Sequence, residues 1–425
     1  MKRHRRSRLL LLAAFALAVS PFVVAGRPAA SDAQQAARDA AAAGPRSLTS
    51  GEVMVRGDRR QSGTYQAKGP DRLHGMLWKS PQIFSFAIKP SGGFINVTKV
   101  PNVGTYYDFY PSYTTFPGAH FSTPIIADGT VYFALSLGDG HLVAVDAATG
   151  QRKWSYKVER HDLSAPAVAG GSIYIGSGDG VLHVLDTATG QEKWRFQAKD
   201  HDYGVGSPVI ADGVVYFNNL NKGLKGELYA LDIQTRQPRW VYREQMYLSA
   251  PAIGADAVYL STWTGLLVAL DIKSGQEKWR LKAKTGPPAL VDGTLYLSDG
   301  KNLSAVDAET GKLKWRASAN GNVRAALAVA GDTIWYTGWL DSIYAVDAQT
   351  GREKWKYKTK SSCISPIAVD GVVYAGGEDQ VFAVDGKTGA LKWKIDCEKL
   401  TASTPAVADG RIYVVRSDGY VYSFY

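Results

Sequence analysis

Two His-Asp pairs, His161-Asp162 and His201-Asp202, begin seven residues after Trp154 and Trp194. Imidazole beside carboxylate is metal-ligand chemistry, and two such pairs on one rim would supply four donors. The stretches that carry them differ in length by two residues, 12 from Trp154 to Pro166 against 14 from Trp194 to Pro208. Equivalent placement is therefore not expected, the pairs read as solvated loop residues, and no metal is assigned. Arg324 stands where most comparable segments carry small or apolar residues. It can bind an anion or pair with a nearby acid, and pairing is the simpler reading. Cys363 and Cys397 suit one bridge in an exported protein or two separate thiols, a choice that geometry makes. Arg56-Gly57-Asp58 and Asn96-Val97-Thr98 are short matches with high false-positive rates. There is no phosphate-cradling glycine loop, Cys-x-x-Cys pair, His-Glu-x-x-His helix or nucleophile elbow. No catalytic residue is assigned, and the chain is expected not to be an enzyme.

The elements that position these residues come from an internal repeat. Seven times an aspartate is followed eight residues later by tryptophan: Asp146/Trp154, Asp186/Trp194, Asp232/Trp240, Asp271/Trp279, Asp307/Trp315, Asp347/Trp355 and Asp385/Trp393. Eight times a reference position, a proline in all copies but Leu327, is followed at the same distance by an aromatic, from Pro124/Tyr132 to Pro405/Tyr413. The tryptophans recur every 36–46 residues, the period of propeller blades or helical solenoids. Val-Tyr, Ala-Val-Asp and Lys-Trp segments alternate with period two between glycine-rich turns, which selects strands. Each unit gives four: one from the proline to an Ala-Asp-Gly type turn, one with the tyrosine, one ending at the aspartate and one holding the tryptophan. The aspartate should close an Asx-type turn, with Gly150 and its equivalents left-handed. Arg236 replaces that glycine in the third copy, so a rearranged turn is expected there. The basic residue before each tryptophan should face solvent and needs no ligand.

Eight first strands but seven tryptophan strands leave the last unit short. Leu77-Trp78-Lys79 supplies the missing piece, which predicts an all-β, eight-bladed β-propeller of four-stranded antiparallel blades, its ring closed by an N-terminal strand near Trp78. Proline-to-aromatic and aspartate-to-tryptophan intervals never change. Aromatic-to-aspartate runs from 11 to 16 and tryptophan-to-proline from 9 to 14, or 46 between Trp78 and Pro124. In an up-and-down blade both variable loops lie on one face, where binding is expected. Trp263 and Trp339 at hairpin tips, and Met246 and Tyr247 in a connection, are outside the repeat pattern and fit interface anchors. The long closing joint holds an aromatic insertion at about 84–118, with Tyr106, Tyr107 and Tyr110 among its rings. It is read as a loop or strand packed on the ring, with a lid or contact surface as the sharper alternative. His161, His201 and Arg324 complete the candidate partner-binding set.

The repeated Ala-Val-Asp-x-x-Thr-Gly-x-x-x-Trp motif, with Val55-Arg56-Gly57-Asp58 and Ser62-Gly63 as a lead-in, resembles the quinoprotein-type (PQQ-like) β-propeller repeat family from about residue 51 to the end. Within it the chain is similar in fold and blade count to the propeller lipoprotein of the outer-membrane β-barrel assembly machinery, and departs from it in having no cysteine before Cys363. That resemblance implies a protein-interaction scaffold. The enzymes of the family imply instead a dehydrogenase with pyrroloquinoline quinone and calcium, for which no ligand set can be mapped here. A glycan-binding envelope module is a further alternative.

Charge fits an export reading. The 425 residues hold 49 Lys plus Arg against 39 Asp plus Glu. Five of the bases, Lys2, Arg3, Arg5, Arg6 and Arg8, precede an apolar stretch from Leu9 to about Ala25, the build of a signal peptide or anchor. Without them the balance is 44 against 39, too weak to imply nucleic acid. Residues 26–50 read as an Ala-rich disordered spacer. The expectation is an exported, periplasmic or extracellular monomer, without an integral membrane domain beyond that possible anchor, binding a protein partner.

Overall fold

The computed structural model describes residues 64–65, 70, 73, 76–80 and 120–425, less 137–138, 160–161, 199–200, 222–224, 246, 284–285, 322, 324–325, 339–341, 360–362, 378–379, 397–402, 404 and 417–419. These residues form eight sheets and no helix, and within each four-stranded blade the strands run antiparallel. Blade 2 is typical. Its strands Ala167–Ala169, Ser172–Gly176, Val181–Asp186 and Glu192–Gln197 pair in sequence order from the inside outwards. Blade 1 covers 125–158, blade 3 209–245, blade 4 252–282, blade 5 289–318, blade 6 328–358 and blade 7 367–396. Blade 8 joins Ala406–Ala408, Arg411–Val415 and Val421–Phe424 to Met76–Lys79, with Trp78 opposite Ser423. The ring closes as read from the sequence, and the innermost strands of blades 8 and 1 touch.

Second and third strands are buried almost throughout, whereas the fourth alternates, as in the Glu192–Gln197 pattern of half-buried and exposed residues. Burial of both faces of the middle strands follows from stacking between neighbouring blades, and the fourth strand forms the outer rim.

The repeat spacing is an interblade lock. Asp146 Oδ1 accepts N–H bonds from Ala148 and Thr149 at 3.1 and 2.9 Å, and Gly150 is left-handed at φ 74°. The tryptophan of one blade lies on the turn glycine of the next. A Cβ on Gly190 would come within 2.5 Å of the Trp154 ring. Its indole N–H donates to the carbonyl that follows the next aspartate, as in Trp154 to Thr187 at 3.0 Å, Trp240 to Ile272 at 3.0 Å and Trp315 to Ala348 at 2.9 Å. The repeat tyrosine uses the same acceptor, Tyr132 reaching Thr187 at 3.2 Å. Trp335, in the tyrosine slot, does so through its indole, at 3.1 Å from the Gly386 carbonyl that Trp355 also reaches.

One expectation is corrected. The turn at Arg236 is not rearranged: Arg236 adopts φ 59°, its N–H still donates to Asp232 O at 2.8 Å, and Thr235 N–H reaches Asp232 Oδ1 at 2.8 Å. The turn's hydrogen bonds hold the left-handed backbone, and the guanidinium lies 5.5 Å over the Trp194 ring, the ring that a glycine would have met. Arg236→Gly removes a strain of about 1–2 kcal/mol and a cation–π contact of about 0.5–1 kcal/mol. A small net gain is expected, read as a higher urea midpoint at constant slope.

The bases before tryptophan fold back on their own turns. Lys193 lies 3.0 Å from Asp186, Arg239 2.6 Å from Asp232 and Lys314 3.3 Å from Asp307. Lys193, with the Thr189 N–H, holds the Asp186 carboxyl down to about 2. The Thr235 N–H and then Arg239 bring Asp232 to about 2. Asp271, Asp307, Asp347 and Asp385 are lowered too, first by the hydroxyls of Ser274, Thr310, Thr350 and Thr388. A carboxyl depressed by folding contributes stability that is complete above its unfolded value and is lost as pH falls through its folded one. Thermal stability should therefore drop between about pH 4 and 2. The Asp186→Asn variant should show a shallower drop over that interval.

Candidate functional site: the loop face

Hydrogen bonds between turns define two faces. On one, the aspartate turn binds the turn between strands one and two: Ala147 N–H to Gly129 O at 2.9 Å, Ile233 N–H to Gly213 O at 3.0 Å, Ala348 N–H to Asp332 O at 2.8 Å. These are the turns of constant length. On the other, the entering connection binds the hairpin between strands two and three, as in Gly178 N–H to Asp162 O at 2.9 Å and Trp263 N–H to Tyr247 O at 2.9 Å. Bridges Leu163–Ser177, Leu248–Thr262, Val323–Gly338 and Cys363–Gly377 repeat this contact. All the length variation thus shares one face.

That face is not level. In blade 3, strands Val214–Asn221, Lys225–Asp232 and Pro238–Gln245 each have eight residues, against five or six in the matching strands of blade 2. Two extra residues raise the rim by roughly 7 Å, as the 16-residue interval from Tyr216 to Asp232 foreshadows. An additional strand precedes the first in two blades: His120–Phe121 pairs with Leu135–Ser136, and His201–Val205 with Asn219 and Asn221.

Trp263 sits at the tip of the blade 4 hairpin, 50 % exposed, with its N–H fixed by the carbonyl of half-buried Tyr247. The structure brings these two candidates together. Met246, Trp339, Arg324, His161 and the insertion rings Tyr106, Tyr107 and Tyr110 lie outside the described residues, as does Cys397; Cys363 is buried. The His201 backbone opens the extra strand of blade 3, opposite Asn221. Leu163 and Val205 occupy matching places, opposite Ser177 and Asn219, each three residues after its blade's tyrosine. His161 is two residues before that place and His201 four, so the two His-Asp pairs are out of step. Among the described residues no three His, Cys, Asp or Glu side chains converge as a metal site. The described residues on either side of the insertion, Ser80 and His120, both lie on this face. Ser80 exchanges bonds with Val421 at 2.9 and 3.0 Å, and His120 pairs with Ser136.

Two arrangements were missed by sequence reasoning. Ser122, Ser164, Ser249 and Ser403 accept N–H bonds from Ala134, Gly176, Ser261 and Val415 at 2.8–3.0 Å. They tie the entering chain to strand two where the next residue but one is the repeat proline, and serine at that spacing was the available signal. The second is a line of Ser177, His183 and Glu192. Ser177 Oγ is 3.2 Å from His183 Nε2, and His183 Nδ1 2.9 Å from Glu192 Oε1. These are the residue types of nucleophilic hydrolysis. Ser177 is 1 % exposed, however, and its hydroxyl is shared with Asp179 and the Val181 carbonyl. Tyr156 of blade 1 closes on Nδ1 at 3.1 Å and Arg195 grips Glu192. The line is a buried clamp between blades 1 and 2. Blade 3 has a comparable buried carboxylate, Glu227, held by Tyr229 and Arg243, both at 2.9 Å.

Eight four-stranded blades, six of their seams locked by a tryptophan on a turn glycine and the seam after blade 2 by Trp194 under Arg236, define a β-propeller of PQQ-like repeats. The chain belongs to the family described as outer membrane protein assembly factor BamB, whose model matches residues 113–165, 138–288, 265–376 and 341–425. BamB of Yersinia pestis is 26 % identical over 218 residues, covering 47 % of this chain and 54 % of that protein. The quinohemoprotein alcohol dehydrogenase of Comamonas testosteroni is 28 % identical over 140 residues, 26 % of this chain and only 19 % of the enzyme. The crystal structure of BamB from Moraxella catarrhalis superposes with a TM-score of 0.56 at 20 % identity, over 71 % of this chain and 93 % of that one, a likeness of fold. Among the described residues no helix is long and apolar enough to cross a membrane.

Proposed function

We propose that this protein is an exported, non-enzymatic scaffold of the cell envelope that binds a protein partner through its loop face. Residues 1–25 act as the export signal or anchor, 26–50 as spacer and 51–425 as a propeller that works as a monomer. The observation that carries this reading is Trp263, a half-exposed indole on a backbone pinned by Tyr247, on the face where every variable loop lies. The family description and the BamB relatives support it. Crosslinking in the native envelope tests it: a photoreactive label at Trp263 should capture a partner, and a label at exposed Ala188 on the fixed-turn face should not. Equal yields from both would refute the loop-face reading.

A second reading, a quinoprotein dehydrogenase, is favoured by the stretch shared with the quinohemoprotein enzyme. The described residues do not fit its calcium, since they bring no cluster of acidic donors together, and no step is routed through the quinone. Stoichiometric uptake of quinone and calcium with dye-linked alcohol oxidation would establish that reading and displace ours. Glycan binding by the aromatic insertion is tested in parallel by retention on immobilised envelope polysaccharide.

A further inference from the structure

The amino-terminal segment touches the ring at three places, and their order fixes its path. Thr64–Tyr65 lies parallel to the innermost strand of blade 7, Thr64 opposite Ala368 and Tyr65 opposite Val369. The outward edge of Ile367–Val369 is taken by Val372–Gly376. The added strand therefore occupies the edge that borders the channel, and it also touches the innermost strand of blade 6. Next, the Pro70 carbonyl accepts Tyr374 Oη at 3.1 Å and Trp393 Nε1 at 3.3 Å. This is the acceptor role that the residue after the repeat aspartate plays elsewhere, so Pro70 lies on the fixed-turn face. Met76–Lys79 then returns as the outer strand of blade 8 and delivers Ser80 to the loop face beside Val421.

Direction follows from the pairing. First strands run from the entering connection on the loop face to the constant turn on the other, and a parallel neighbour runs the same way. Thr64 is thus the loop-face end of its strand.

We infer that the chain threads its own channel, entering at the loop-face mouth, and that the inner edge of blade 7 is a strand-accepting site whose resident ligand is this extended segment. Thr64 is then approached from the loop face, the side on which Ser80 and His120 also lie. A ligand entering the channel beside blade 7 has to displace the strand. The inference stands on backbone pairing and is independent of any partner.

The full chain tests it. Nitroxide side chains are placed at Arg59 and either Thr264 or Ser274, the loop-face tip and fixed turn of blade 4, on faces about 20 Å apart. The Arg59–Thr264 distance should be the shorter. Equal distances or the reverse order would overturn threading from the loop face. Independently, Tyr65→Pro removes one strand N–H. Amide exchange at Ile367–Val369 should rise about tenfold with Leu391–Asp396 unchanged. Unchanged exchange at Ile367–Val369, or a rise in both segments together, would refute a separable strand site.

Discussion

Trp78→Ala should be among the most damaging single substitutions in the chain, lowering stability by about 3 kcal/mol or more and broadening the unfolding transition. The indole N–H donates to the Ala147 carbonyl at 3.0 Å, where Tyr413 Oη and Arg411 Nη1 also converge, each at 3.3 Å. Its ring lies against Gly150 and packs obliquely on Tyr413 with centroids 5.9 Å apart. At the other seams two blades joined by a continuous chain are locked together. Here the lock joins the outer, amino-terminal strand of the last blade to the aspartate turn of the first, and loosening it frees that strand and exposes the pairing edge of Val421–Phe424. Denaturant unfolding followed by fluorescence and circular dichroism checks this, with Leu313→Ala as control. Leu313 is 54 % exposed on an outer strand, and its loss should stay within about 0.5 kcal/mol. A Trp78→Ala protein as stable as that control would mean the ring does not depend on its closing strand.

Trp263→Ala should do the opposite: leave stability within about 0.5 kcal/mol and weaken partner capture about thirtyfold, the effect of losing a 2 kcal/mol anchor. The backbone bond from Trp263 N–H to Tyr247 O does not need the indole, so the hairpin tip keeps its shape. Titration of the captured partner against wild type and variant gives the ratio. An unchanged affinity would move the contact elsewhere on the face.

Much of the fold was legible because its spacing records contacts between blades. Eight residues from aspartate to tryptophan place a turn glycine and an indole where neighbouring copies meet. The closing strand was found by the same count. The left-handed arginine was misjudged because local cost was weighed without the turn's hydrogen bonds and the Trp194 ring that receives the guanidinium. Thr64–Tyr65 left no trace, since two residues have no period. The Ser177, His183 and Glu192 line depends on strand register, and at the His183 place neighbouring blades carry Val143 and Tyr229. Of the site, the loop face and Trp263 could be read in advance, because unequal intervals and a tryptophan outside the repeat are both visible in sequence. The unequal heights of the blades could be read only in part.

The closing pair also sets a clock. Trp78 meets Ser423, 345 positions later in the chain. At about 5–20 residues per second, a ribosome makes the first roughly 17–70 s before the second. Blades 1 to 7 can stack in the order in which they are made, each needing only its predecessor. The eighth cannot, and through that interval Met76–Lys79 is a strand without its mate. Assembly is sequential for seven steps and then waits on Val421–Phe424, so the ring stays open beside Met76–Lys79 until the last strand of the chain is made.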